Sequence, residues 1–292
     1  MPPAEPGSEP ERARDAESEA EPDAEGPGDQ SRPALVAVGH GTRSPAGRRA
    51  LATLRLEVAT LRPALEVLTA SVDVQRPSLA DAVAALQDRR RTAVVVPMLL
   101  SAGYHVYVDV AEAVASAPDL LAAAAALGPD PVLVELVDAR LTLAGAFAQD
   151  AVVLAAAGSS DPRAIADLGH TARALALRRG TEVTLGYAAS GRPTVAEAVA
   201  LARDGGARRV AVATYLLAPG VFADRLSDAG GDVVSQPLAP DPVLAELILA
   251  RYDAALAAAP HLVRAGRDQH PGQVEDRQPH QRGGPATTLR NG

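Results

Sequence analysis

The chain has 292 residues, 47% of them hydrophobic, enough for one large domain or two medium ones with real cores. It contains no Cys and no Trp, and aromatics make up only 2%, which rules out disulfides, thiolate metal sites and a cysteine nucleophile and leaves few platforms for stacking single-stranded nucleic acid. The net charge of -8 is local: residues 1–30 hold ten Asp or Glu against Arg12 and Arg14, so the remainder is close to neutral and carries no basic stripe of the kind nucleic acid requires.

Residues 1–32 are rich in Pro, Glu, Ala and Gly without apolar periodicity, the composition of a disordered acidic tail. Short apolar runs follow at 34–38, 67–74 and 92–97 and read as buried strands, separated by amphipathic stretches near 45–61, 78–90 and 107–117 that read as helices. Ser78, three residues before Asp81, is a capping signal for the second helix. Strand and helix alternating at this spacing predict an α/β fold, a parallel sheet covered by helices on both faces. No run of about 18 apolar residues is free of charge, and the start lacks a basic-then-apolar pattern, so neither a membrane span nor export is expected and a cytoplasmic setting follows.

The second half repeats the first. Residues 127–140, LGPDPVLVELVDAR, and 238–251, LAPDPVLAELILAR, agree at ten positions. Working outward, 77–83 pairs with 193–199, 36–45 with 153–162, and 99–105 with 216–222. Two similar lobes are therefore expected, 33–150 and 151–258, with a further disordered tail at 259–292 rich in Gly, Gln, Arg and Pro. A fused duplication supplies both lobes in one chain, so a monomer is expected.

In open parallel sheets ligands bind beyond the carboxyl ends of the strands. His40 follows the first strand, Asp73 ends the second, and His105 falls in the loop after the third. Each residue alone has ordinary structural uses, as a turn, a cap or a partly buried histidine. Their counterparts in the second lobe are Ala157, Ala189 and Phe222, all apolar, while the surrounding scaffold is retained. A set lost together reads as a unit with one task, confined to the first lobe. Two imidazoles and a carboxylate suit Fe, Co or Ni better than Mg or Ca. An incomplete shell of this kind can release its ion, and neutral imidazole, with an ordinary pKa of about 6.5, can take up a proton near neutral pH.

The segment Gly39 to Ser44 (GHGTRS) followed by a helix, the acid four residues before Pro77, and Pro97 to Asp109 (PMLLSAGYHVYVD) resemble the CbiX-type sirohydrochlorin chelatases, a branch of the class II chelatases. The resemblance spans roughly 34–258. It implies a bilobed α/β fold, catalytic histidines matching His40 and His105, and insertion of Co2+ or Fe2+, with Ni2+ chemically admissible, into sirohydrochlorin for cobalamin or siroheme. No organic cofactor is implied. Glu is common in that family where this chain has Asp73. Arg43, Arg76 and Arg48 lie near the same edge and suit the carboxylates of such a substrate, although surface ion pairing accounts for them equally well. Asp109 either orients His105 through its second nitrogen or favours the dipole of the following helix. His170 and the tail histidines His261, His270 and His280 are assigned no chemistry. A carrier of metal or tetrapyrrole without turnover remains the alternative, and a two-His-one-carboxylate iron oxygenase fits the parallel-sheet pattern poorly.

Overall fold

The computed structural model describes residues 32–101 and 104–269, with backbone alone at 104–107 and 266–269. The described strands form two parallel four-stranded sheets. β1 (Ala34–Gly39), β2 (Val67–Ser71), β3 (Ala93–Pro97) and β4 (Leu121–Ala123) are arranged in the order β2-β1-β3-β4. β5 (Ala151–Ala156), β6 (Val183–Tyr187), β7 (Val210–Tyr215) and β8 (Val233–Val234) repeat that order as β6-β5-β7-β8. The expected pair of parallel α/β lobes is what the chain forms.

The strands are apolar on both faces because helices cover both. Leu35, Val94 and Val96 face α1 (Pro45–Leu61), which buries Leu54 and Val58 against them. Val36, Val38 and Val95 face the opposite way, toward Leu79, Val83 and Leu86 of α2 (Leu79–Asp88) and Val110 of α3 (Tyr104–Ala115). Ser78 starts α2 as expected: its hydroxyl accepts from the Asp81 amide at 3.1 Å while the Asp81 carboxylate accepts from the Ser78 amide at 3.0 Å. Thr194 and Glu197 repeat this box at α6 (Val195–Asp204).

The lobes exchange their last helices. α4 (Pro131–Leu143) follows the first sheet in sequence yet packs on β7 and on α5 (Pro162–Arg179), whereas α8 (Pro242–Ala258) returns to pack on β3 and α1. Leu133 and Val137 of α4 and Leu244 and Ile248 of α8 therefore lie in one core continuous across both sheets. Each exchanged helix is clamped by an arginine at the same repeat position. Arg251 donates to the carbonyls of Ala126 and Leu127 and to the Asp130 carboxylate, and Arg140 donates to the carbonyls of Leu238 and Pro240 and to Asp241.

Three element ends differ from the expectation. β2 stops at Ser71 rather than 74, because the chain turns back until the Pro77 carbonyl accepts from the Ser71 amide at 3.0 Å. α3 begins at Tyr104, which places His105 in the first helical turn and not in the preceding loop. The alternation of Val106, Val108 and Val110 imitates a strand, and the helical phase is set instead by Val110, Ala113, Val114 and Ala117 packing on β3 and β4. Helical order also continues past 258, into the stretch expected to be a tail: α9 (Pro260–Gln269) packs on α8 and buries Leu262. The expected tails at 1–31 and 270–292 lie outside the described residues. No described helix is long and apolar enough to cross a membrane.

Candidate metal and substrate site

β1 lies inside its sheet with β2 on one side and β3 on the other. The chain leaves β1 toward the α1 face and leaves β3 toward the α2 and α3 face, which makes the β1–β3 boundary a topological switch point, the place where open parallel sheets hold a ligand crevice. His40 directly follows β1 on one side of that crevice, and His105 is the second residue of α3 on the other. Asp73 lies two residues beyond β2, on the far side of β1. The parallel register, Gly39 with Ser71 and Val38 with Pro97, sets the three strand ends level. The three positions thus share one edge of one sheet. The His105 ring is outside the described atoms, and among the described residues no group of three His, Asp or Glu could hold an ion.

The backbone at His40 is held by β2. The Ser71 hydroxyl, on a side chain buried to 4% exposure, donates to the His40 carbonyl at 2.9 Å, and the Val74 amide donates to the same oxygen at 3.4 Å. Gly41 then turns the chain at a φ of +88°, where a Cβ would lie 2.5 Å from the Ser71 Oγ. The Gln75 side chain accepts from the Thr42 amide at 2.8 Å and ties the β2 turn to the same loop. His40 and Asp73 are themselves exposed at this edge. Sequence reasoning missed Ser71 and Gln75, although both carry the signal used for the histidines: their counterparts are Tyr187 and Gly191.

The remaining expected residues fall in different surroundings. Arg43 is exposed beside His40, and Arg48 donates to the Arg43 carbonyl at 3.1 Å. Arg76 is committed to the Asp81 carboxylate at 2.5 Å, and Arg192 with Glu197 repeats the pair in the second lobe. Hydrogen bonds from Ser78, joined by the Arg76 guanidinium, hold the Asp81 carboxyl down at about 2. Asp109, one helical turn beyond His105, is exposed and lines a groove between α2 and α3 with Ser78, Gln87, Glu112 and Ser116.

The second lobe has closed the corresponding position. The Tyr187 ring sits where a Cβ on Gly158 or Gly191 would meet it at 3.2 and 2.9 Å, and it occupies the place that Ser71 holds beside His40. The loop after β7 instead approaches the carboxyl edge of the first sheet. The Pro219 carbonyl comes so near α1 that a Cβ on Gly47 would lie 2.5 Å from it, and the counterpart of Gly47 is Ala164. Gly220 lies against Thr42 and Ser44. Just beyond, in the short helix α7 (Val221–Asp224), Val221 and Phe222 are 60% and 43% exposed.

The CbiX family model matches residues 34–144 and again 151–255. The chain belongs to the CbiX family. The two matches coincide with the two halves of the duplication, each spanning one sheet and the helix it donates. Among solved structures, SirB from Bacillus subtilis with Fe3+ superposes with a TM-score of 0.66 at 20% identity, covering 78% of this chain and 97% of SirB. The sirohydrochlorin chelatase SirB from Bacillus subtilis subspecies spizizenii in complex with cobalt gives 0.61 at 20%, covering 77% and 95%. A CbiX described as the terminal enzyme for biosynthesis of siroheme in denitrifying bacteria gives 0.56 at 23%, covering 76% and 99%. At these identities the likeness establishes that this CbiX-family chain shares their fold. Comparison of the sequence with curated proteins gives no match.

Proposed function

We propose that this protein is a sirohydrochlorin chelatase, inserting Co2+ or Fe2+ into the macrocycle, with His40 and His105 as the residues that bind the incoming ion and take up the pyrrole protons. The observation that carries the reading is the placement of both histidines on either side of the crevice between β1 and β3, in a family member whose second lobe has Ala157 and Phe222 at the same positions. Neutral imidazole binds first-row ions such as these without enclosing them, and a ligand set this sparse leaves coordination positions for the ring nitrogens. Each pyrrole nitrogen must lose its proton as the metal bonds to it, and an imidazole released from the ion is a base of suitable strength near neutral pH. Asp73 balances the charge so formed, and Asp109 steadies the His105 turn of α3. Arg43 and Arg48 at the mouth of the crevice meet the substrate carboxylates, whereas the Arg76 guanidinium would have to leave Asp81 to do so.

The related structures with iron and with cobalt make Fe2+ and Co2+ the first ions to test, with Ni2+ third. On this reading lobe 33–150 carries the chemistry, lobe 151–258 supplies the opposing wall with Val221 and Phe222, the protein acts as a cytoplasmic monomer, and no organic cofactor takes part. The test is anaerobic insertion of each ion into purified sirohydrochlorin. Turnover beyond one equivalent is expected, and His40→Ala or His105→Ala should remove most of the rate above the uncatalysed reaction. Parent-level rates in both variants would reject the site. Binding without turnover would make the protein a carrier.

A further inference from the structure

The buried phenol of Tyr215 crosses from the second lobe to the loop that leads into His105. Tyr215 ends β7, is 2% exposed, and its hydroxyl donates to the Leu100 carbonyl at 3.0 Å. Leu100 lies between β3 and α3, five residues before His105. Two further features fix the same short segment. The Gly128 amide donates to the Leu99 carbonyl at 3.0 Å, and a Cβ on Gly128 would lie 2.1 Å from the Leu100 oxygen and 2.9 Å from the Tyr215 hydroxyl. The Leu100 carbonyl leaves residue 128 no room for a side chain, and the phenol closes the same space from the other lobe.

The duplication shows that this arrangement is not part of the shared scaffold. The repeat counterpart of Tyr215 is Met98 and that of Gly128 is Ala239. Both departures occur together and fit one another, and they meet on the loop of the lobe that keeps its histidines. An aliphatic side chain would fill the core here without a hydroxyl to satisfy, since a buried hydroxyl is tolerated only when bonded. Burial pushes the phenol up to about 12, so it stays a neutral donor at any working pH.

We propose that Tyr215 is a positioning residue for His105: the second lobe, lacking ligands of its own, fixes the segment that sets where His105 stands relative to His40. This rests on the reading of His105 as a metal-binding residue. Tyr215→Phe keeps the ring and removes the hydroxyl, with its bond to the Leu100 carbonyl and its contact with Thr171 within the second lobe. It is expected to raise the KM for Co2+ about three- to tenfold, the worth of one hydrogen bond, to leave the KM for sirohydrochlorin unchanged, and to alter the visible spectrum of Co2+ added to the protein alone. A lower melting temperature with parent Co2+ KM and parent spectrum would overturn the proposal and leave Tyr215 a core residue. Should the phenylalanine variant not fold, Tyr215→Met places the residue found at the repeat counterpart Met98, removes the hydroxyl while leaving Gly128 unchanged, and carries the same expectations and the same refuting result. His105→Ala, run in parallel, separates the two ideas. If it loses Co2+ binding while Tyr215→Phe does not, only the positioning role fails; if it binds Co2+ like the parent, the reading of His105 fails and the positioning role with it.

Discussion

Gly41→Ala tests whether the backbone beside His40 is as constrained as the structure requires. At a φ of +88° an L side chain costs about 1–2 kcal/mol. The new Cβ would lie 2.5 Å from the Ser71 Oγ and 2.7 Å from a Val74 methyl, and the Ser71 side chain, buried to 4% exposure, can yield only by leaving the His40 carbonyl. Losing that bond adds about 0.5–1.5 kcal/mol, so the variant should be destabilised by about 1.5–3.5 kcal/mol in all. Gly180→Ala is the control: its φ is +67° at the end of α5, but nothing stands within 4 Å of the added Cβ, so only the conformational cost of about 1–2 kcal/mol applies. Thermal unfolding reads the difference at roughly 2–4 °C per kcal/mol for a chain of this size. Co2+ insertion into sirohydrochlorin, measured well below both transitions, should fall about tenfold to a hundredfold for Gly41→Ala, the scale of a displaced catalytic group, and stay at the parent value for Gly180→Ala. Parent-level insertion by Gly41→Ala would show that His40 does not depend on this turn, and the argument for its placement would fail.

Arg251→Ala should cost about 2–4 kcal/mol, because it leaves the Asp130 carboxylate and two carbonyls without their shared donor; denaturant unfolding checks this, and Arg140→Ala should match it if the two clamps are equivalent. Acid should weaken the fold below about pH 4, the ordinary range of a carboxyl. Asp81, Asp161 and Asp232 are all held below their ordinary values, first by backbone amides for Asp81 and Asp232 and by the Arg163 side chain for Asp161. A depressed folded-state value gives stability that is present above the unfolded value and lost as pH falls through the folded one, near 2 for Asp81. Glu57, raised first by burial and then by Asp241, works in the opposite sense. Melting temperatures measured from pH 6 to pH 2 should therefore decline overall, and a flat profile would contradict the assignment. Phe222→Ala should raise the KM for sirohydrochlorin about tenfold, by loss of an exposed aromatic surface, and leave Co2+ binding to the protein alone as in the parent.

The fold was legible because its determinants are local or repeated. Continuous apolar strands, the Ser78 and Asp81 cap and the ten identities between 127–140 and 238–251 each survive in the structure. What escaped was tertiary. Nothing in the sequence of α4 or α8 says which sheet each will cover, since Leu133 and Leu244 are apolar at the same repeat position and would suit either. The N-terminus of α3 was hidden by β-branched residues alternating at 104–110, and the helix prevails because it has two strands to pack on. α9 was hidden by the polar residues around Leu262, a single buried anchor that composition averages away. At the candidate site, the positions of His40, Asp73 and His105 along one sheet edge could be read from the sequence, but the residues that bond to the nearby backbone could not. Ser71, Gln75 and Tyr215 act through a carbonyl, an amide and a carbonyl, and backbone partners leave no trace in side-chain chemistry.

The exchange of helices gives the second half a part in packing that does not depend on any ligand. If each half packed its own last helix, the second could be lost and the first would still cover its sheet. Here the face of the first sheet carrying Leu35, Val94 and Val96 is covered by α1 together with α8, and α8 is made from the second half. The apolar side of α4, in turn, has no surface to cover without β7 and α5. Deleting the second half would bare both at once, a loss of several large buried side chains at about 1.5–3 kcal/mol each against a margin of only about 5–15 kcal/mol. The fold therefore holds the duplicate in place on grounds of packing alone, whether or not it binds anything. Its edge differs accordingly: the Tyr187 ring fills the place that Ser71 holds in the first half, Phe222 stands at the repeat position of His105, and Tyr215 bonds to the Leu100 carbonyl of the first half. Residues serving the exchange, such as Arg140 and Arg251, remain alike in both halves. His40, Ser71, Asp73, Gln75 and His105 differ between the halves, whereas Gly41 and Arg76 recur as Gly158 and Arg192, so the turn and the cap pair belong to the shared scaffold.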